Sequence, residues 1–255
     1  MDVDALNISI ELIPRDTAHL EAELELVQTG YASINAINIP DLLRLSTRSW
    51  EGAAQAGRRF DTCIPHIRAI DFNLKQHFGL PDVLDEHGID QVLVVTGDPP
   101  QDMTRSVYPT TSLDLIRKLK QARPAMKVYG AIDPYRDNFR AEYDYIQRKL
   151  DAGVDGFFTQ PFFDLRLMEV YHELMGRQEI YWGVSPVMSE RSRNYWETKN
   201  NAIFPGGFEP TLEWNTRFAR SVLDYGATTG TNVYLMPIKV DLKAYLDGIF
   251  GTRAE

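Results

Sequence analysis

The sequence has a single cysteine, Cys63, so no disulfide can close within the chain. That excludes the small cross-linked secreted scaffolds and fits a reducing cytosol. No apolar run approaches the roughly 20 residues that span a bilayer. Basic clusters are missing too. With 27 basic against 36 acidic residues, the net charge of −9 argues for solubility and against a nucleic-acid or polybasic membrane surface. The opening residues Met1-Asp2-Val3-Asp4 lack the basic-then-apolar order of a secretory leader. Several catalytic signatures are also absent. There is no Gly-x-Gly-x-x-Gly turn, no Gly-x-Ser-x-Gly elbow and no His-x-His pair, and the glycine-bearing stretch 226–230 has no Gly-Lys-Ser/Thr ending. The expectation is a cytoplasmic protein that binds a small molecule, with no metal, no nucleic acid and no membrane partner.

What is present is a repeating pattern. Eight short apolar runs, at 8–13, 33–39, 63–70, 91–96, 127–132, 156–160, 180–184 and 232–236, alternate with segments of helical spacing. Runs such as Val92–Val95 are nearly continuous in apolar residues, as parallel strands buried on both faces are. The helical segments carry their own signals. Leu20, Leu24 and Val27 recur at i, i+4 and i+7, with Gly30 as a stop. Phe139, Tyr143, Ile146 and Leu150 form a stripe between Asn138 as N-cap and Gly153 as terminator. Thr111 or Ser112 caps a helix through Leu119, and Asp164 and Gly176 bound another. Pro81 is expected to split segment 73–87 into two pieces. No linker divides the chain. Eight strand–helix units in 255 residues predict a single (β/α)8 TIM barrel over residues 1–255.

Polar residues stand where three of these runs stop: Glu11, Asp98 and Gln160. In a parallel barrel the C-terminal strand ends form the active face. Glu11, in Ile10-Glu11-Leu12-Ile13, reads either as a strand-end charge beside Arg15 or as a general acid whose pKa apolar neighbours raise so that it holds a proton near neutrality. Asp98, after Gly97 and before Pro99-Pro100, reads as a turn aspartate or as a carboxylate held rigidly against a ligand donor. Gln160 reads as a backbone-satisfying amide or as a two-point reader of a heterocycle edge.

Taken together, Ser9-Ile10-Glu11-Leu12-Ile13-Pro14, Pro65-His66 with Ala69-Ile70-Asp71, Thr96-Gly97-Asp98-Pro99-Pro100, Thr159-Gln160-Pro161-Phe162-Phe163-Asp164 and Gly183-Val184-Ser185-Pro186-Val187 resemble the catalytic barrel of methylenetetrahydrofolate reductase. The resemblance implies reduction of 5,10-methylenetetrahydrofolate to 5-methyltetrahydrofolate, a step of one-carbon metabolism toward methionine. It makes Glu11 the general acid, with Asp98 offsetting cationic charge and, with Gln160, gripping the pterin. A stacking aromatic after the seventh strand would be Tyr195 or Trp196, the count from Pro186 favouring Trp196. Lys239 is a candidate for the folate carboxylate tail or a solvated helix-start charge.

The same resemblance implies FAD, yet the flavin positions depart from it. Thr96 stands where the family has arginine, and Asn38-Ile39-Pro40 replaces a hydroxyl and small residues. Asp133-Pro134-Tyr135 stands where tyrosine, histidine and glutamate are expected. His66 is kept, and Arg140 or Lys149 reads as a phosphate contact or, by preference, a solvated helix charge. The expected cofactor-facing residues are therefore Asn38, His66, Thr96, Asp133 and Tyr135. The altered set predicts that FAD binds weakly or not at all, with NADH or NADPH in its space as direct hydride donor. The alternative is a folate- or flavin-binding barrel without reductase activity. The oligomeric expectation is a monomer or small homo-oligomer.

Overall fold

The computed structural model describes residues 6–100 and 106–251, and the opening Met1–Asp4 segment lies outside them. Among the described residues the chain alternates strand and helix. It runs through β1 (Ile8–Glu11), α1 (Thr17–Gly30), β2 (Ala36–Ile39), α2 (Ser49–Ala56), β3 (Thr62–Arg68), α3 (Leu80–Glu86), β4 (Gln91–Val95), α4 (Ser112–Ala122) and β5 (Lys127–Ile132). It continues through α5 (Phe139–Ala152), β6 (Gly156–Pro161), α6 (Leu165–Met175), β7 (Glu179–Val184), α7 (Glu190–Lys199), α8 (Leu212–Thr229), β8 (Asn232–Leu235) and α9 (Leu242–Phe250). All eight strands pair in parallel and in chain order, and β8 closes on β1 through Ile8↔Val233, Ser9↔Tyr234 and Ile10↔Leu235. The fold is a (β/α)8 TIM barrel.

The two-residue strand period sorts the side chains. Ile10, Ile37, Ile67, Val92, Val94 and Leu235 point outward into the layer shared with the helices. Ile64, Leu93, Tyr129, Phe158, Tyr181, Tyr234 and Met236 fill the barrel interior. Glu11 lies two residues from Ser9 on β1, and His66 and Arg68 follow Ile64 by two and four residues on β3. Their strand parity is that of the interior.

At the N-terminal end of the barrel, Lys127 pairs with Glu179 at 2.8 Å and Tyr129 donates to the same carboxylate at 3.0 Å. The opposite end stays open.

The helix ends follow their sequence signals. Thr111 builds a capping box with Asp114, Asn138 caps α5 through Ala141 N, Asp164 caps α6 through Arg166 N, and Gly153 ends α5 with φ of 99°. Two expectations are corrected. Pro81 does not divide a helix: it lies in the first turn of α3, where its missing N–H has no intrahelical acceptor to lose, and no α-helix precedes it in 73–79. The buried residues of α5 are Glu142, Ile146, Lys149 and Ala152, whereas Phe139 is exposed. The packed face is thus turned from the apolar stripe by a buried pair of opposite charges.

Candidate functional site

The open end of the barrel holds a cavity of about 720 Å³. Glu11, Asp98 and Gln160, from β1, the β4 exit and β6, all line it, together with His66, Thr96, Asp133 and Trp196. Residues 149 positions apart in sequence meet here because the sheet closes.

Glu11 is the chemically distinctive member. Its carboxylate sits half-buried at the end of β1 and accepts a hydrogen bond from the Tyr234 hydroxyl. Loss of hydration raises its pKa from 4.5 to about 7, and the Tyr234 bond offsets only part of that rise. Glu11 is therefore poised to hold and release a proton near neutrality.

Below it lies a polar chain inside the barrel. Ser9 Oγ donates to Asn38 Oδ1 at 2.5 Å, and Asn38 Nδ2 lies 3.2 Å from His66 Nε2. Burial lowers the His66 pKa to about 3, which keeps the ring neutral.

Asp98 and Gln160 are exposed into the mouth of the cavity. Gly97 before Asp98 has φ of 87°, and a Cβ there would lie 3.0 Å from Arg68 Cβ, so glycine lets the strand exit close over the arginine. Arg68 Nη2 donates to the Asp98 carbonyl at 2.6 Å, and its Nε lies 3.3 Å from Asp71, which Arg48 also meets at 3.2 Å. Gln160 sits at an irregularity: three β6 steps, Phe158 to Pro161, oppose two on β7, Tyr181 to Gly183. A Cβ on Gly183 would collide with the Thr159 carbonyl and lie 2.9 Å from that of Gln160. The glycine thereby admits the bulge that carries the amide.

Other sequence-derived candidates fall outside this lining. Tyr195 is 58% exposed, while its neighbour Trp196 is buried edge-on against Phe163 at 5.7 Å. One helical step of about 100° separates them, so only one of the two faces the barrel. Asn38 is fully buried beneath the cavity, held by Ser9 and His66. Tyr135 turns into an apolar cluster with Phe163, Val187 and Trp196. Lys239 occupies an exposed turn with φ of 55°, before α9 begins, away from the cavity lining.

Arg68 and Lys149 also line the cavity. Arg68 was passed over although its parity matches His66. Lys149, read as a solvated helix charge, is 3% exposed: Nζ donates to the Ala131 carbonyl and lies 4.1 Å from the Tyr145 ring centre. Burial lowers its pKa to about 8 against the opposing pull of Glu142. The Glu142-Ile146-Lys149 spacing of i, i+4 and i+7 was the available signal. His172 on α6 is half-buried and lies 2.7 Å from the Tyr225 hydroxyl.

A closed parallel barrel with a titratable acid and polar side chains gathered around a cavity at its C-terminal mouth defines a TIM-barrel protein with a candidate small-molecule site. The family model for methylenetetrahydrofolate reductase matches residues 45–219. The chain belongs to the methylenetetrahydrofolate reductase family. A 5,10-methylenetetrahydrofolate reductase from Pectobacterium carotovorum subsp. carotovorum is 23% identical over 222 residues, covering 78% of this chain and 70% of the relative. The Escherichia coli (strain K12) enzyme of the same name is also 23% identical over 222 residues, with 78% and 71% covered. Among solved structures, a Clostridium thermocellum protein described as binding two copies of 5-methyl-5,6,7,8-tetrahydrofolic acid superposes with a TM-score of 0.64 at 13% identity, covering 97% of this chain and 95% of that one. An oxaloacetate acetylhydrolase superposes at 0.59 and 9% identity, covering 95% and 79%. At such identities the superpositions speak to the fold alone.

Proposed function

We propose that this protein reduces 5,10-methylenetetrahydrofolate to 5-methyltetrahydrofolate, taking hydride directly from NADH or NADPH. The observation that carries the reading is the convergence of Glu11, Asp98 and Gln160 on one cavity, with the Glu11 pKa raised to about 7. The substrate carries one carbon bridging two nitrogens. Glu11 protonates the nitrogen on the aminobenzoyl side, and the five-membered ring opens to an iminium cation. Asp98 offsets that positive charge, and hydride then adds to the bridging carbon to give the methyl group. Gln160 and Asp98 hold the pterin edge, and Trp196 supplies an apolar wall.

The family implies FAD, and the residues at its expected contacts fit it poorly. Asn38 is committed to Ser9 and His66, and Tyr135 is packed into an apolar cluster. Thr96 brings no cation, while Lys149 is engaged with the Ala131 carbonyl. These commitments support a flavin-independent reaction in which the nicotinamide lies at near-contact distance from the folate carbon. The test is anaerobic incubation with NADH or NADPH and methylenetetrahydrofolate, with and without FAD, following the methyl product. Equal turnover in both arms is expected. A yellow protein whose turnover collapses when flavin is stripped overturns the flavin-independent step.

A second reading is a folate-binding barrel without turnover, toward which the description of the Clostridium thermocellum neighbour points. A carrier has no use for a half-buried acid of raised pKa. Glu11→Gln separates the two: a reductase loses turnover and keeps folate affinity, whereas a carrier has no turnover to lose.

A further inference from the structure

Tyr234 has no place in the chemistry described so far, yet it touches the acid at its centre. The residue sits on β8 opposite Ser9, at the seam where the barrel closes. Its ring is 3% exposed and lies edge-on to Phe158 at 5.2 Å and 88°. Packing fixes the ring, so the hydroxyl reaches one place, and there it donates to Glu11 Oε2. The phenol has a second polar neighbour, His66 Nε2, at 3.5 Å.

The direction of these bonds follows from the amide below. Asn38 turns its Oδ1 toward Ser9 Oγ, and an amide oxygen has no proton, so the serine hydroxyl donates that 2.5 Å bond. The other end of the amide, Nδ2, is then the donor toward His66 Nε2. An imidazole nitrogen that accepts carries no proton, which leaves the ring proton on Nδ1. His66 therefore has nothing to give Glu11 or Tyr234. The Tyr234 hydroxyl is the proton that the interior presents to the carboxylate.

We propose that Tyr234 is the positioning residue for Glu11: its hydroxyl holds Oε2 as an acceptor, so that Oε1 is the oxygen that carries the transferable proton. No bond within Tyr234 breaks, and the phenol keeps its proton throughout. The same hydrogen bond steadies the carboxylate left after Glu11 has given its proton away. Of the charged groups at this end of the barrel, Asp41, Arg68 and Asp98 face the cavity from the exits of β2, β3 and β4, and Arg15, Asp241 and Lys243 lie on the other flank of Glu11. The transferable character of the proton rests on the reductase reading; the hold on Oε2 does not.

The experiment uses the full chain labelled with carbon-13 at the glutamate side-chain carboxyl. The Glu11 resonance is assigned by its loss in Glu11→Gln. Tyr234→Phe removes one oxygen and keeps the ring, and should move the Glu11 titration about one to two pH units upward, the worth of a hydrogen bond to a charged group. Should turnover be present, the basic limb of its pH profile moves up by the same amount, which a merely structural defect would not do. A Glu11 titration that is unchanged or falls in Tyr234→Phe overturns the proposal. If that variant fails to fold, the wild-type infrared carboxyl stretch, assigned by difference from Glu11→Gln, decides. The lowered frequency of a hydrogen-bonded carbonyl supports the hold on Oε2, and a free-carbonyl frequency overturns it. A wild type that never reduces folate while Tyr234→Phe still shifts Glu11 sinks the reductase reading alone. A wild type with turnover but an immobile Glu11 titration sinks the positioning role alone.

Discussion

Glu11→Gln should change how stability responds to pH, and the sign follows from the direction of the pKa shift. In the unfolded chain Glu11 ionises near its ordinary value of 4.5, whereas in the folded barrel it holds its proton to about 7. Below pH 4.5 both states are protonated and the residue contributes no pH dependence. As pH rises from 4.5 to 7 the unfolded chain releases its proton first, so the folded state loses stability relative to it. Each tenfold difference in proton affinity is worth about 1.36 kcal/mol, and the whole interval amounts to roughly 3 kcal/mol. Solvent in the cavity beside a half-buried carboxylate screens part of this, which leaves about 2–3 kcal/mol. Glutamine does not titrate, and its carbonyl can still accept from Tyr234. Urea unfolding of both proteins at pH 4 and at pH 8 isolates the effect, because every other titrating group is common to the pair. The variant should gain about 2–3 kcal/mol over wild type between the two pH values. A stability difference that is the same at both would refute the claim that desolvation dominates at Glu11.

Three further outcomes test the architecture around this acid. Gly183→Ala should destabilise the protein by about 3 kcal/mol in urea unfolding, because the Met236 methyl can move aside but the Thr159 and Gln160 backbone carbonyls that its new methyl meets cannot. Lys149→Met should cost about 1–3 kcal/mol in urea unfolding by leaving the Ala131 carbonyl unpaired and removing a cation near Glu142 on α5, and the double variant with Glu142→Gln should recover part of that loss in a thermodynamic cycle. Asp98→Asn should weaken folate binding about 10- to 100-fold by calorimetry while leaving the unfolding midpoint near wild type, since the carboxylate is exposed and Arg68 bonds its backbone carbonyl.

The three cavity-lining candidates were legible because each interrupts an apolar run at a strand exit, a signal that depends only on order along the chain. Glu11, Asp98 and Gln160 stand at such interruptions, and the closed sheet gathers them. Arg68 was not legible in the same way, because a charge ending a strand looks alike whether it faces water or a cavity. Its role depends on the neighbouring strand exit, where Gly97 and the Asp98 carbonyl close over it. Lys149 misled for a related reason. A lysine on a helix is ordinarily solvated, and here the Ala131 carbonyl that accepts from Nζ and the Glu142 charge on the same buried face make its burial tolerable. Asn38 has the interior parity but lies one layer beneath the cavity, bonded to Ser9 and His66, and Tyr135, in the loop after β5, packs into an apolar cluster; how deep a side chain settles depends on its neighbours in space.

The order of residues by itself determined the element alternation, most of the caps and the strand ends at which chemistry is possible, because periodicity, capping and turn geometry are local properties of the chain. Closure of β8 on β1 was decided only in three dimensions. That closure sets Tyr234 against Glu11 across 223 residues. It also strips water from the carboxylate, and desolvation is a property of everything that surrounds a group and of no stretch of sequence that contains it.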